Sequence, residues 1–317
     1  MSRSLSFSTS RPLSRSMAPR ILALASATLF AGACSSASNP MAPKGSGQQS
    51  QSERPSVPDF VYVSDASGTP QIYRFSDAGS VRITFDNSTD DHPHSAAGRL
   101  VFTSYRDDDP EIYIAQNDGS ALERLTHSEG LDDEAKLDPT GARIVFVSDR
   151  GGVMRLFTMD STGANQAPLA TGAESWVPER APAWSPNGSQ IAFTSLRSGI
   201  SQVWVVPATG GAAVQLTHET GGAFDPAWSA DGTQIYFVSG TGTPYLRTVD
   251  VATGTSSDVE RDTTSLGQPT CTASQCLVVS GAYGDSGQIV SYSTTGGAAS
   301  SIVATTANET SPAFLVP

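Results

Sequence analysis

Carboxylates and histidines gather at three places in the first half of this 317-residue chain: Asp90-Asp91-His92-Pro93-His94, Asp107-Asp108-Asp109 and Asp132-Asp133-Glu134. Oxygen and imidazole donors in such clusters are the ligands that divalent cations take. The spacing of an EF-hand loop is absent, however, and Asp-rich turns are also the solvated punctuation between strands. We take the second reading, so neither a metal site nor a cofactor is expected, with a divalent cation on an acidic face as the alternative. His92, His94, Asp107, Asp108, Asp109, Asp132 and Asp133 remain candidate binding residues. No Gly-x-Ser-x-Gly elbow, His-Glu-x-x-His pair or Gly-Lys phosphate loop occurs, so no catalytic residue is assigned.

Trp176 is the other residue with binding chemistry. It lies in Thr171 to Arg180, a stretch with no counterpart elsewhere in the chain, whereas Trp184, Trp204 and Trp228 stand at repeated positions and read as packing. An aromatic beside Arg180, outside any repeat, has the composition of an interface anchor. Capping of a hydrophobic edge is the competing role.

What must position these residues is a repeat. Six copies of a unit of roughly forty residues run from Phe60 to Pro317, clearest in APAWSPNGSQIAFTS (Ala181 to Ser195) and DPAWSADGTQIYFVS (Asp225 to Ser239). Each unit has a short apolar segment ending at Ser64, Ser104, Ser148, Ser195, Ser239 or Ser280. A third segment follows, beginning at Gln71, Glu111, Arg155, Gln202, Tyr245 or Gln288, and then a Gly-bearing turn such as Asn117-Asp118-Gly119. Runs this short, bounded by Gly, Pro, Asn and Asp, predict strands. Four strands at this period predict an all-β, six-bladed β-propeller of four-stranded antiparallel blades. The first unit lacks its opening strand, and Ser311-Pro312-Ala313-Phe314 at the far end matches it. The last segment is therefore expected to complete the first blade and close the ring.

The repeats from about Pro58 to Pro317 resemble those of the TolB-type propeller family, with its Pro-x-Trp-Ser-Pro-Asp-Gly hairpin. Arg124-Leu125-Thr126 and Gln215-Leu216-Thr217 fit the family's later Leu-Thr strand. Blade six departs from it, with Pro269-Thr270-Cys271-Thr272-Ala273-Ser274 in place of the Trp hairpin. The resemblance implies a propeller scaffold. It also leads us to expect that the α/β domain preceding the propeller in TolB is missing here, as is the hydrolase domain that accompanies related propellers in some peptidases.

Arg20, the apolar run Ile21 to Phe30 and Ala31-Gly32-Ala33-Cys34 read as an export signal over residues 1–33. The run is too short to span a bilayer. Small residues before a Cys resemble the bacterial lipobox, which makes Cys34 the lipidation site; a plain secretory signal is the alternative, and Met17 is a second candidate start. Ser35 and Ser36 lack the Asp of inner-membrane retention, so the outer membrane is expected. Residues 34–57, rich in Ser, Gln, Pro and Gly, read as a flexible tether reaching on the order of 25 Å, with the propeller at 58–317.

Of three cysteines, the remaining Cys271 and Cys276 flank a short turn in an exported domain, where a disulfide is expected. Removal of the signal takes away four arginines and moves the net charge from −12 to −16, which argues against nucleic acid as a partner, since that demands basic patches. The expected partner is an envelope or peptidoglycan-associated protein, met by a monomer held to the membrane through its anchor alone. Glycan or small-ligand binding and a metal-dependent polysaccharide lyase are the alternatives.

Overall fold

The computed structural model describes residues 57–240, 244–260, 266–281, 286–295 and 298–316. The expected export signal, the expected lipidation site Cys34, the expected tether as far as residue 56 and the Gly296-Gly297 turn lie outside the described residues. Val57, placed in the tether by composition, is buried against a cluster containing Phe60, Phe75 and Phe314. The propeller core therefore starts one residue before the composition changes.

Among the described residues, twenty-four strands form six four-stranded antiparallel sheets. The second strand of each blade, for example Phe60–Ser64, Arg143–Ser148 and Gln234–Ser239, is buried almost throughout. Both of its faces pack against neighbouring layers, so its sequence is a continuous apolar run and not an alternation. The outer strands are short, only two residues at Glu123–Arg124, Ala167–Pro168 and Val214–Gln215, which leaves little free edge.

Ring closure is as the repeat predicts. The C-terminal strand Glu309–Phe314 pairs antiparallel with Phe60–Ser64, matching Phe60 to Phe314 and Ser64 to Glu309. The first blade is thus assembled from both ends of the propeller. The chain enters at the Phe60 end of this pairing, where Leu315 N donates to Asp59 O. The loops joining second to third strands, and fourth to next first strands, lie at the Ser64 end. Hence the N-terminal entry and those loops occupy opposite faces.

The innermost strands are Glu309–Phe314, Asp90–Ala96, Asp132–Leu137, Glu179–Trp184, Ala223–Trp228 and Leu266–Cys271. Every one is interrupted by a β-bulge at the same level. The bulge residues are His92, Glu134, Ala181, Asp225, Gln268 and Ser311, and all six are non-glycine residues at φ between 49° and 55°. Such left-handed backbone costs on the order of 1 kcal/mol or more per residue. It turns six strands inward at one height and makes a ring of polar backbone around the central channel. In blade six, Cys271 and Cys276 pair across the first hairpin and are joined by a disulfide, Cα atoms 4.1 Å apart. The bond stands where Trp184 and Trp228 brace the corresponding strands of blades four and five through Trp184 Nε1 to Lys136 O (2.9 Å) and Trp228 Nε1 to Ala183 O (3.0 Å).

Candidate functional site

The bulge residues line a central cavity of about 180 Å³. Their side chains link one blade to the next. Glu134 Oε2 accepts the Ala181 N–H (2.5 Å), Asp225 Oδ2 accepts that of Gln268 (3.2 Å), and Gln268 Oε1 accepts that of Ser311 (2.8 Å). Ser311 Oγ donates to Asp91 Oδ1 (3.0 Å), and His92 Nδ1 lies 2.7 Å from Asp133 Oδ1. Five of the six blade boundaries are joined this way. Between blades four and five no such link is present among the described residues, because Ala181 has only a methyl group to offer Asp225.

At that boundary a cleft of about 690 Å³ opens from the channel to the surface. Glu134, Ala181 and Asp225 line both spaces. Outward from them come Arg180, Phe224, Met154, Leu196 and Trp176. Trp176 is 71% exposed and Leu196 is also exposed, so the tryptophan caps no edge and forms part of an open, partly apolar wall. Arg180 reaches Glu134 at 3.7 Å. The structure therefore brings together Trp176 and Arg180, as the sequence suggested, and adds Phe224, Leu196 and Asp225, which the sequence did not single out.

The acidic clusters are placed differently from expectation. Asp90–Ala96 and Asp132–Leu137 are innermost strands and not loops, and Asp90, Asp132 and Asp133 are buried. Their reading as solvated punctuation is thereby corrected: a bulge and a blade interior, not water, receive these carboxylates. Only the cluster Asp107-Asp108-Asp109 is a hairpin turn, between the strands Arg99–Asp107 and Asp109–Gln116. Asp108 and Asp109 are exposed there, while Asp107 accepts the Tyr113 hydroxyl and pairs with Arg124 at 3.1 Å.

His92, Asp133 and Glu134 offer ligand atoms all within 4.8 Å of one another. Burial opposes charge on His92, but Asp91, Asp133 and Glu134 outweigh it and hold the imidazole up at about 10. Burial likewise works against Asp133 charging, and His92 with Thr103 overcomes it, bringing the carboxyl down to about 2. A divalent cation would have to displace the proton of this ion pair. His94 is pushed by burial, with Lys136 adding, down to about 3; its Nδ1 accepts the Leu137 N–H (3.2 Å) and so braces blades two and three. Burial raises Glu134 and Asp225 and lowers Lys136. The channel mouth thus holds two desolvated carboxylates, Glu134 and Asp225, beside His92, Lys136 and Arg180, an arrangement that can accept hydrogen bonds from amines, guanidinium groups and other donors.

A second device escaped the sequence reading. In blades two, three and four, the residue two after the strand-ending serine is an arginine: Arg106, Arg150 and Arg197. Each reaches the fully buried carboxylate that opens the innermost strand, namely Asp90 (3.1 Å), Asp132 (2.8 Å) and Glu179 (2.5 Å). Each Nε also donates to the serine Oγ. Each guanidinium lies over a cross-strand aromatic pair: Phe102 and Tyr113, Phe146 and Phe157, Phe193 and Trp204. The thrice-repeated Ser-x-Arg is the signal that identifies it.

Residues 173–316 match the TolB beta propeller domain model. Among solved structures, TolB from Acinetobacter baumannii superposes with a TM-score of 0.70 at 19% identity, covering 82% of this chain and 67% of that one. A TolB candidate from Agrobacterium tumefaciens gives 0.64 at 16% identity, over 78% of this chain and 89% of the other. A puromycin-hydrolyzing peptidase from Mycobacterium tuberculosis gives 0.57 at 14% identity, covering 73% of this chain but only 40% of the peptidase. At these identities the likeness is one of fold. With the domain match over residues 173–316 and the six-bladed ring closed by its last strand, the chain is similar to the TolB-type propellers in fold and in the repeats of its second half.

Proposed function

We propose that this protein is a non-catalytic envelope lipoprotein whose propeller binds a protein partner at the channel mouth. One observation carries the reading. The cleft floored by Glu134 and Asp225 and walled by Trp176, Phe224 and Leu196 opens at the one boundary where the bulge ring has no side-chain link among the described residues. An exposed aromatic anchor beside desolvated carboxylates suits a segment with an apolar side chain and a positive or hydrogen-bond-donating neighbour. The reading of Cys34 as a lipid anchor supports the same role, since the chain enters the propeller on the face opposite the cleft.

The test is affinity co-purification from detergent-solubilised envelopes with wild type, Trp176→Ala and the double change Asp107→Asn, Asp108→Asn. The expected result is a protein recovered with wild type and with the aspartate variant and lost with Trp176→Ala. Equal recovery with all three, or recovery of nothing, overturns this reading in favour of a glycan or other small ligand.

A further inference from the structure

The arginine device of blades two to four has four parts: a buried carboxylate, a serine, an aromatic pair and a guanidinium. Blade one holds the first three. Glu309 opens its innermost strand and is 1% exposed, and Ser64 Oγ donates to Glu309 Oε1 at 3.3 Å. Tyr62 and Tyr73 form the cross-strand aromatic pair with ring centroids 5.8 Å apart, against 5.9 Å for Phe102 and Tyr113 and 5.8 Å for Phe146 and Phe157. The turn that follows has the same form too. Ala66 N donates to Ser64 Oγ at 3.2 Å, just as Arg150 N donates to Ser148 Oγ and Arg197 N to Ser195 Oγ at 3.4 Å.

The guanidinium is what blade one lacks. Its position is taken by Ala66, on an exposed turn. Glu309 Oε1 also accepts the Thr305 hydroxyl at 2.6 Å, while Oε2 is buried with no hydrogen-bond partner. An unpaired buried carboxylate oxygen is costly. Burial, with Asp65 adding, pushes the Glu309 carboxyl above its ordinary range. Blades five and six differ in kind: Arg247 replaces an aromatic and pairs with Glu219, and Val278 faces Val290. Among the described residues, blade one alone carries the carboxylate and the aromatic pair without an arginine.

We propose that blade one is a receptor site for an arginine side chain supplied by a protein partner. The guanidinium enters past the exposed turn at Asp65 and Ala66, lies over Tyr73 and Tyr62, and hydrogen-bonds Glu309 as Arg106, Arg150 and Arg197 do for their own carboxylates. Planarity and forked donors select arginine over lysine. The site goes beyond the cleft at Trp176 and stands on blade one alone, so either can fail without the other.

The test uses N-acetylarginine amide as probe, with N-acetyllysine amide as control, on the whole exported protein. Backbone NMR and thermal unfolding follow wild type, Ala66→Arg and Glu309→Gln. The expected result is a saturable response of wild type confined to residues near Ser64, Tyr73 and Glu309, at least five-fold weaker with the lysine probe. It should vanish in Ala66→Arg, where the chain fills its own site, while that variant still recovers any partner that depends on Trp176. Should Glu309→Gln fail to fold, Ala66→Arg alone carries the comparison. No saturable response in wild type, or equal responses in wild type and Ala66→Arg, overturns the proposal.

Discussion

The Nδ1 of His92 in blade two lies 2.7 Å from Asp133 Oδ1 in blade three. That carboxylate oxygen also accepts Thr103 Oγ1 and the Glu134 N–H, at 2.6 and 2.7 Å. The pair fastens two blades and fixes the charge of the channel. His92 is held at about 10, above its ordinary 6.5, so its contribution to stability is complete below pH 6.5 and disappears as pH rises through 10. Asp133 is held at about 2, below its ordinary 3.8, so its contribution is present above 3.8 and lost as pH falls toward 2. We expect the imidazole of His92 to remain protonated at pH 8 by NMR and urea-unfolding stability to peak between about pH 4 and 6.5. Asp133→Asn should cost about 2 kcal/mol, under the 3–5 kcal/mol of a fully enclosed pair because the His92 side chain is 28% exposed.

Arg150 and Asp132 test the repeated arginine device. Asp132 is fully buried, and Arg150 reaches both of its carboxylate oxygens. Arg150→Ala leaves a buried charge unpaired and should cost about 3 kcal/mol in urea unfolding. Arg180→Ala is the contrast. Its side chain is half exposed and 3.7 Å from Glu134, so the change should stay within about 0.5 kcal/mol.

Ala181→Asn should supply the missing link of the bulge ring. Asn tolerates the left-handed backbone that Ala181 adopts at φ 50° better than Ala does. Its side-chain oxygen would face the Asp225 N–H as Asp225 faces that of Gln268. The expected outcome is a gain of about 1 kcal/mol in stability, from the hydrogen bond and the relieved backbone, with weaker capture of a cleft-dependent partner. Unchanged stability in denaturant melts would refute the ring account.

The disulfide of blade six closes a loop of sequence separation five. In the chain-entropy model such a loop contributes about 2 kcal/mol. Thermal unfolding with and without reductant should differ accordingly, and the double change Cys271→Ser, Cys276→Ser should melt like the reduced protein in either buffer.

Repeat, blade count, closure and disulfide were legible because each rests on local spacing: Ser64 to Ser280 mark the strands, and Ser311 to Phe314 match an absent copy. The placement of His92 and Asp133 was not. An inner strand that begins with two aspartates looks like a loop until the bulge at His92 shows how polar groups can face a channel. The arginine device was hidden for a related reason. Arg106 follows Asp90 by sixteen residues and Arg150 follows Asp132 by eighteen, so each pair meets only after a hairpin has formed. Ala181 is harder still, since its importance lies in what a methyl group fails to do.

Deletion of Ser311 to Pro317 should abolish cooperative unfolding, because Phe60–Ser64 would lose its inner partner. A truncated protein with an unchanged melting curve would overturn the closure account.

The contact between Ser64 and Glu309 spans 245 positions. A ribosome delivers Ser64 among the first residues of the propeller and Glu309 among the last, so blade one waits with its inner edge open for nearly the whole time of synthesis. The ring is thus a clasp that fastens only after every other blade has been delivered. Any shortened product, from a stalled ribosome or a nicked C-terminus, would leave the edge of Phe60–Ser64 bare for proteases to grip, and degradation would sort complete molecules from incomplete ones.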